Sequence, residues 1–225
     1  LRRIKSRNGC ELALISETME IPREDLGPHI DALQARQSQL LQTLRGTDIN
    51  LKTFIPLAVR HGLSPEFPSY YSHRYLQDRL LGRTDLEKLD DETRQNVDQY
   101  IKNIHVMEEL TKTQANINLL KMHHAQNVAA GTGTMTVEVV GVRIGDFVLV
   151  TFPGELSVQI GLDIKQASPH PFTFVAGVTN GYIYYAPAAE QLKNRGGAQE
   201  DSDCLLAPEW QALFEDKAAE VLRRL

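Results

Sequence analysis

The residue best suited to take part in chemistry is a carboxylate, Glu155, which closely follows an apolar segment. Residues 147–152 are almost wholly apolar, which predicts a buried strand, and Pro153-Gly154-Glu155 comes directly after them. We expect the chain to pass straight from this strand into a helix, so that Glu155 lies in the first helical turn. Open α/β sheets bind ligands at the carboxyl ends of their strands, and a helix N-terminus keeps a carboxylate ionised and able to bind a cation. The local sequence alone favours a simpler role, in which Glu155 only complements the helix dipole.

A second group of reactive side chains consists of three tyrosines within the segment 179–187. Tyr182, Tyr184 and Tyr185 follow an Asn-Gly turn at the end of the next predicted strand, which covers residues 172–178. Phenols donate hydrogen bonds, and a phenol close to a metal ion can lose its proton and become a ligand. Taken alone, the pattern favours an aromatic cluster that packs on the C-terminal helix.

Several predicted elements must position these two segments. Residues 135–142 nearly alternate between apolar and polar side chains, and Gly145-Asp146 is suited to a tight hairpin turn into the strand 147–152. A helical pattern then runs through residues 156–164, and a final helix begins near Pro208. The order strand, helix, strand indicates an α/β unit over residues 131–225.

The residues before this unit are predicted to be mainly helical. Pro28 begins one helix, which Gly46 ends, and negative charge at residues 90–92 marks the start of a long amphipathic helix. We therefore divide the chain into a mainly helical region, residues 1–130, and an α/β part, residues 131–225, of the same domain. The predicted fold class is α/β (α+β), with a β-hairpin, a β-α-β unit and a closing C-terminal helix.

Composition sets broad limits on function. The chain has 225 residues and a net charge of −5, which gives no general attraction to nucleic acid or to anionic membranes. No stretch approaches the roughly 18 uninterrupted apolar residues of a membrane span. Two cysteines, Cys10 and Cys204, fit neither a zinc knuckle nor a disulfide framework, so we expect two free thiols. Because the chain does not begin with Met, we expect an upstream region.

The seven histidines do not provide a zinc site by themselves. No two of them have the His-x-x-x-His spacing that places both rings on one helix face. His123 and His124 are adjacent on the predicted long helix, about 100° apart, and cannot readily face one ion. We expect both to be surface or capping residues, and we expect His170, between two prolines, to lie in an exposed loop.

Five short motifs occur in an order that resembles a known family. Their order and spacing are similar to the C-terminal part of the catalytic domain of neutral/alkaline non-lysosomal ceramidases, over residues 135–225. No motif before residue 135 contributes to this resemblance. The motifs are Ile144-Gly145-Asp146, Phe152-Pro153-Gly154-Glu155, the run from Asn180 to Pro187, Gly196-Gly197, and Leu206-Ala207-Pro208.

The resemblance implies a zinc-dependent amide hydrolase. It assigns Glu155 and Tyr182 as two ligands of a catalytic Zn²⁺, and it takes two further His ligands and a Ser nucleophile from the upstream half of the enzyme. In such a mechanism zinc polarises the scissile carbonyl and activates the attacking oxygen. Tyr185 is the candidate for contact with the substrate amide or its developing oxyanion.

The implied partners are a lipid-like, N-acyl (ceramide-like) substrate and the upstream half of the same enzyme. Family members are commonly exported, which suggests a secreted or periplasmic protein. Gln191 and Leu192 stand where several members have an acidic and an aromatic residue, and the loop 197–200 also differs from the common pattern, so a different N-acyl substrate is compatible with the sequence. Two alternatives stay open: a non-catalytic relative whose helical region binds a partner, and an esterase on the same site.

Overall fold

The computed structural model describes residues 10–63 and 73–225, which form two compact units. One unit comprises the described residues up to Gln34 together with Lys112–Leu225, and the other comprises Ala35–Thr111. In the described part of the chain, no helix is both long and apolar enough to cross a membrane. Cys10 is exposed and Cys204 is buried, and no disulfide joins them.

Helices dominate the described residues up to Ala130, and most of the strands come after that point. This arrangement, with a mixed sheet and a crossover helix, confirms the predicted α/β fold class. The elements are β1 (Leu12–Pro22), α1 (Gly27–Thr43), α2 (Leu51–Leu63), α3 (His73–Leu80), α4 (Asp85–Ala130), β2 (Thr134–Ile144), β3 (Phe147–Thr151), β4 (Glu155–Leu156), α5 (Val158–Ala167), β5 (Phe172–Ala176), β6 (Tyr185–Ala186), α6 (Gln199–Ser202) and α7 (Trp210–Arg224).

The main sheet has four strands in the order β1-β2-β3-β5. β2 pairs antiparallel with both β1 and β3, whereas β3 and β5 are parallel and are connected through α5. Parallel strands require such a crossover, and a helix is its usual form. β4 and β6 form a separate parallel pair. The predicted hairpin and the predicted strand-helix-strand unit are therefore both present.

The hairpin between β2 and β3 follows directly from its turn residues. Gly145 adopts a φ of 62°, a left-handed conformation that a glycine reaches without steric cost. In β2, Val137 and Val139 point into the core, while Thr136 and Glu138, which alternate with them, do not. The alternation in the sequence thus sets both the strand and the face that it buries.

α7 and α5 cover one face of the main sheet. Val148 and Val150 of β3 are fully buried beneath Trp210 and Phe214 of α7 and Ile160 of α5. Burial of each large apolar side chain contributes about 1.5–3 kcal/mol, so this layer makes a substantial contribution to the stability of the unit.

A glycine in β2 allows α7 to lie directly on the sheet. A Cβ at Gly141 would lie 2.3 Å from Cγ1 of Val221 and 2.9 Å from Cδ1 of Leu225. Both distances are shorter than any ordinary carbon–carbon contact, so any larger residue at position 141 would displace the C-terminal helix.

Helices α2 and α3 lie within the unit Ala35–Thr111, together with parts of α1 and α4. Phe54 of α2 stacks on Tyr100 of α4, with ring centroids 4.5 Å apart. Arg36 and Glu109 form an exposed ion pair at 3.0 Å. Pairs of this kind contribute little stability, so the aromatic contact matters more for this unit.

Three expectations about element boundaries are wrong. No strand was predicted before residue 135, yet β1 pairs with β2 along its whole length. α4 begins at Asp85 rather than at residues 90–92, with Asp85 and Glu87 in its first turn. α5 begins at Val158, so Glu155 does not lie in a first helical turn but in β4, where it is paired with a neighbouring strand.

His170 does not lie free in an exposed loop as expected. The residue is half-buried, and its Nε2 atom lies 2.7 Å from the carbonyl oxygen of Leu222. The imidazole therefore bonds to one of the last carbonyl groups of α7, which have no partner within the helix.

Candidate functional site

The carboxyl ends of β3 and β5 lead into two segments that lie side by side. Because the two strands are parallel, both segments leave the sheet at the same edge, where open α/β sheets bind ligands. Residues 152–155 and 176–184 are then joined by a series of backbone hydrogen bonds of 2.9–3.1 Å: from Phe152 N to Ala176 O, Val178 N to Gly154 O, Thr179 N to Phe152 O, Ile183 N to Pro153 O, and Glu155 N to Tyr184 O.

Glu155 and Tyr182 meet across these two segments. The hydroxyl of Tyr182 donates a hydrogen bond of 2.9 Å to Oε1 of Glu155. Glu155 is half-buried, whereas 52% of Tyr182 is exposed. The structure therefore brings together the carboxylate and the phenol that the sequence singled out, at a surface that a ligand can reach.

Tyr185 belongs to the same cluster. In the parallel pair β4–β6, Glu155 stands directly opposite Tyr185, and the backbone N–H of Tyr185 donates to the carbonyl of Asp203. Hydrogen bonding to the Glu155 carboxylate, together with its negative charge, raises the pKa of Tyr185. One carboxylate thus interacts with two phenols.

The carboxylate of Glu155 favours the protonated form of the Tyr182 hydroxyl. The hydrogen bond to Glu155 raises the pKa of Tyr182 to about 12, and burial and the negative charge of Glu155 act in the same direction. At neutral pH Tyr182 is therefore a neutral hydrogen-bond donor. To bind a metal ion, Tyr182 must become a phenolate, and the positive charge of the ion itself must offset the negative charge of the Glu155 carboxylate.

The third tyrosine, Tyr184, contacts α4 and also packs against the hydrophobic core of the unit. Its ring packs edge-on against His123, with centroids 4.5 Å apart, and its hydroxyl accepts a hydrogen bond of 3.0 Å from Nε2 of Gln126. Its backbone has a φ of 66°, a conformation that residues other than glycine seldom adopt. These contacts hold the Tyr184 ring in place, with its centroid 5.5 Å from that of Tyr182.

His123 is a fully buried residue, so the expectation that it is a surface or capping residue is wrong. Its Nε2 atom lies 2.5 Å from Oδ1 of Asp203, and the ring has no exposed surface. A buried polar group needs such a partner, because desolvation would otherwise be costly. His124 does lie at the surface, with 38% of its side chain exposed and Nδ1 3.8 Å from a carboxylate oxygen of Asp25.

Sequence reasoning missed the contribution of α4 to the site, although a signal was present. Asn116, Leu120 and His123 follow the spacing i, i+4, i+7 on one helix face, and all three are buried. Asp203 carried no local signal, because its partner His123 is 80 residues away in the chain.

Gln191 and Leu192, where the sequence departs from the ceramidase pattern, have defined contacts. The amide oxygen of Gln191 accepts hydrogen bonds from Oγ of Ser157 and from the backbone N–H of Ala188. Leu192 packs against the hydrophobic core of the unit. Among the described contacts, the Gln191 side chain forms no hydrogen bond with Glu155.

The donor set at Glu155 and Tyr182 fits half of a zinc site. The ligand oxygens of a tetrahedral site with metal–oxygen bonds of about 2.0–2.2 Å lie roughly 3.3–3.6 Å apart, about half an ångström more than the 2.9 Å between these two atoms. Within residues 10–63 and 73–225, no three or more His, Cys, Asp and Glu side chains form a group that could hold a metal ion. The described residues can therefore supply two oxygen ligands, and other ligands would have to come from elsewhere.

Two solved structures of ceramidases are similar to part of this chain. A ceramidase complexed with C2 is 23% identical, with a TM-score of 0.34, and the neutral ceramidase from Pseudomonas aeruginosa is 24% identical, with a TM-score of 0.32. Each match covers 41% of this chain and 16% of the ceramidase chain. The similarity is thus partial, and this chain spans only about one sixth of the length of those enzymes. No protein-family model and no curated protein matches the sequence.

Proposed function

We propose that this chain forms part of a zinc-dependent amide hydrolase that cleaves an N-acyl, ceramide-like linkage. The observation that carries the proposal is the hydrogen bond of 2.9 Å between Tyr182 and Glu155, at the carboxyl ends of two parallel strands. The motifs that contain these residues resemble the neutral ceramidases. In this proposal two His ligands and the Ser nucleophile belong to sequence upstream of residue 1.

Each residue of the cluster has a separate role in the proposal. Glu155 is a metal ligand, and it also keeps the phenol of Tyr182 protonated until a cation arrives. Tyr182 would be the second ligand, and as a phenolate its proton would have passed to solvent. Tyr185 retains its proton, because the same carboxylate raises its pKa, and its hydroxyl donates a hydrogen bond to the substrate amide or to its developing oxyanion. A bound zinc ion would act as a Lewis acid on the scissile carbonyl.

The test uses the protein together with its upstream sequence and measures zinc content and N-acyl hydrolysis separately. Glu155→Gln and Tyr182→Phe should both lower zinc content and activity. Tyr185→Phe should keep zinc but lose activity, because that residue contacts substrate rather than metal. Glu190→Gln, which changes an exposed carboxylate that pairs with Lys193, is the matched control and should change neither. Normal zinc content in Glu155→Gln would refute the proposal.

The second candidate function is a non-catalytic scaffold that binds a partner through its helices. One observation favours it: Ile101, Ile104 and Met107 of α4 are all exposed, with 52% of Met107 accessible. Such a protein would contain no zinc, and Tyr182→Phe would leave partner binding unchanged. Zinc analysis therefore separates the two candidates, and a panel of amide and ester substrates separates an amidase from an esterase.

A further inference from the structure

The face of the main sheet opposite α5 and α7 is apolar at one end. The strand register places its side chains in two rows, and each row crosses all four strands. The first row is Leu12, Ile144, Phe147 and Phe172, and the second row is Leu14, Val142, Leu149 and Phe174. We refer to these eight side chains as the open face. All of them belong to the unit that carries Glu155.

The open face leaves a large apolar surface uncovered. Six of the eight residues are exposed, from 37% for Phe147 to 74% for Leu12, and the other two are half-buried. The rings of Phe147 and Phe174 stack with their centroids 4.8 Å apart, so the surface is continuous across neighbouring strands. Together these residues expose roughly 600–700 Å² of mainly apolar surface, which is more than a typical monomer presents in one patch.

The open face has an uncharged centre and a polar border, which is the usual organisation of a protein–protein interface. Ser16 and Glu138, which share a hydrogen bond, continue the same face further along β1 and β2. At the β5 edge, the ammonium group of Lys165 lies 5.8 Å from the ring centroid of Phe174. Residues 1–9 include four basic side chains, and burial of those charges on an apolar surface would be costly. An uncharged partner surface therefore matches the open face better.

We propose that the open face is the contact surface of a homodimer, in which the main sheets of two copies pack face to face. Two such faces would bury roughly 1,200–1,400 Å² in total, which lies at the lower end of the range for specific, stable interfaces. Sheets that pack in this way lie about 10 Å apart with their strands nearly aligned, and side chains from both sheets fill the space between them. The proposal does not depend on the proposed hydrolase activity.

The open face is complementary to itself about a twofold axis that runs parallel to the strands. Its β5 edge is aromatic, with Phe172 and Phe174, and its β1 edge is aliphatic, with Leu12 and Leu14. This axis exchanges the two edges but keeps each row opposite itself, so Phe172 of one copy lies over Leu12 of the other. Large rings thus meet smaller aliphatic side chains, a combination that fills the space between two layers well.

The experiment is sedimentation equilibrium of the whole chain over a range of micromolar concentrations. The parent chain should approach twice its mass of 25.3 kDa. Leu12→Glu and Phe172→Lys should each raise the dissociation constant of the dimer at least about tenfold, because each buries an unpaired charge in the interface. Val158→Glu is the matched control, since Val158 is 78% exposed but lies on α5 outside the open face, and it should leave the constant unchanged. Circular dichroism checks that each variant is folded.

A mixture of the two charged variants tests the twofold axis. Leu12→Glu chains mixed with Phe172→Lys chains should form dimers at least about tenfold more tightly than either variant alone, because the axis places the new carboxylate opposite the new ammonium group. No gain on mixing would refute this packing.

Three results would overturn the proposal as a whole. The first is a parent chain that stays monomeric at every concentration, and the second is a monomer that binds phosphatidylcholine vesicles through the open face, since a lipid surface would then be the occupant. The third is a dimer that disappears when the proposed upstream half is present, since that half would then cover the face.

Discussion

Gly177 is the position at which a single methyl group should disturb the candidate site without removing any of its polar atoms. A Cβ built there would lie 2.9 Å from the carbonyl oxygen of Gly154. This is about half an ångström closer than the 3.4 Å at which ordinary van der Waals contact begins. The neighbouring atom belongs to the backbone and cannot rotate away, so in Gly177→Ala the segment that carries Glu155 must move.

The expected cost of this movement is about 1–3 kcal/mol, the usual penalty for forcing an extra methyl group into a packed position. Gly161→Ala is the matched control. Gly161 lies inside α5, and the nearest atom to a Cβ there is Cβ of Val175 at 3.9 Å, an ordinary contact. Alanine is better than glycine in a helix by roughly 0.5–1 kcal/mol, so this variant should be more stable than the parent.

Urea unfolding followed by circular dichroism measures both effects, provided that the slope of the transition stays constant. The midpoint should fall for Gly177→Ala and rise for Gly161→Ala. Under the proposed function, Gly177→Ala should also lower zinc content, although Glu155 and Tyr182 are both intact. A midpoint for Gly177→Ala equal to or above that of the parent chain would refute the argument that the two backbones are in close contact.

Three further predictions concern the core, α4 and the response to pH. Gly141→Ala should destabilise the chain by at least about 1–3 kcal/mol, as measured by urea unfolding, because its Cβ would lie 2.3 Å from a side chain of α7. His123→Ala should cost about 3 kcal/mol in the same assay, because it leaves a cavity and deprives Asp203 of its partner, whereas Asp203→Asn should cost less. Because the folded-state pKa of Tyr182, about 12, lies above its ordinary value near 10, the stability that this phenol contributes is complete below pH 10 and is lost as pH rises towards 12. Unfolding midpoints at pH 9, 10 and 11 should therefore fall more steeply for the parent chain than for Glu155→Gln, and parallel curves would contradict the assignment.

The α/β part of the fold could be predicted because its signals are local. Alternation in β2 and the left-handed turn at Gly145 are properties of a few adjacent residues, and they determine the hairpin whatever lies elsewhere. β1 carries a weaker signal, because Leu12, Ala13, Leu14 and Ile15 form an apolar run without alternation. Its partner β2 lies more than 100 residues further along the chain, as the hydrogen bond between Ser16 and Glu138 illustrates, with a separation of 122 residues.

The candidate site was predictable to the extent that strand ends determine it. Both Glu155 and Tyr182 follow parallel strands, and parallel strands deliver their carboxyl ends to one edge. The secondary structure predicted around Glu155 was wrong, because a two-residue strand such as β4 has no sequence pattern of its own. β4 exists only through its pairing with β6. The pair of His123 and Asp203 could not be predicted from the sequence for a similar reason, because the burial of a polar residue depends on a partner that is distant in the chain.

The unusual backbone of the tyrosine segment determines how the candidate site would open. Val178 and Tyr184 have φ values of 52° and 66°, and such conformations cost of order 1–3 kcal/mol each. They persist because hydrogen bonds to residues 152–155 hold the segment at both ends. Once those hydrogen bonds are broken, relaxation of the strained residues lowers the free energy of the segment, which favours complete rather than partial opening. Its amide protons should therefore exchange with solvent in one concerted event rather than residue by residue. Tyr182 would move away from Glu155 in that same event, and the hydrogen bond between them would break.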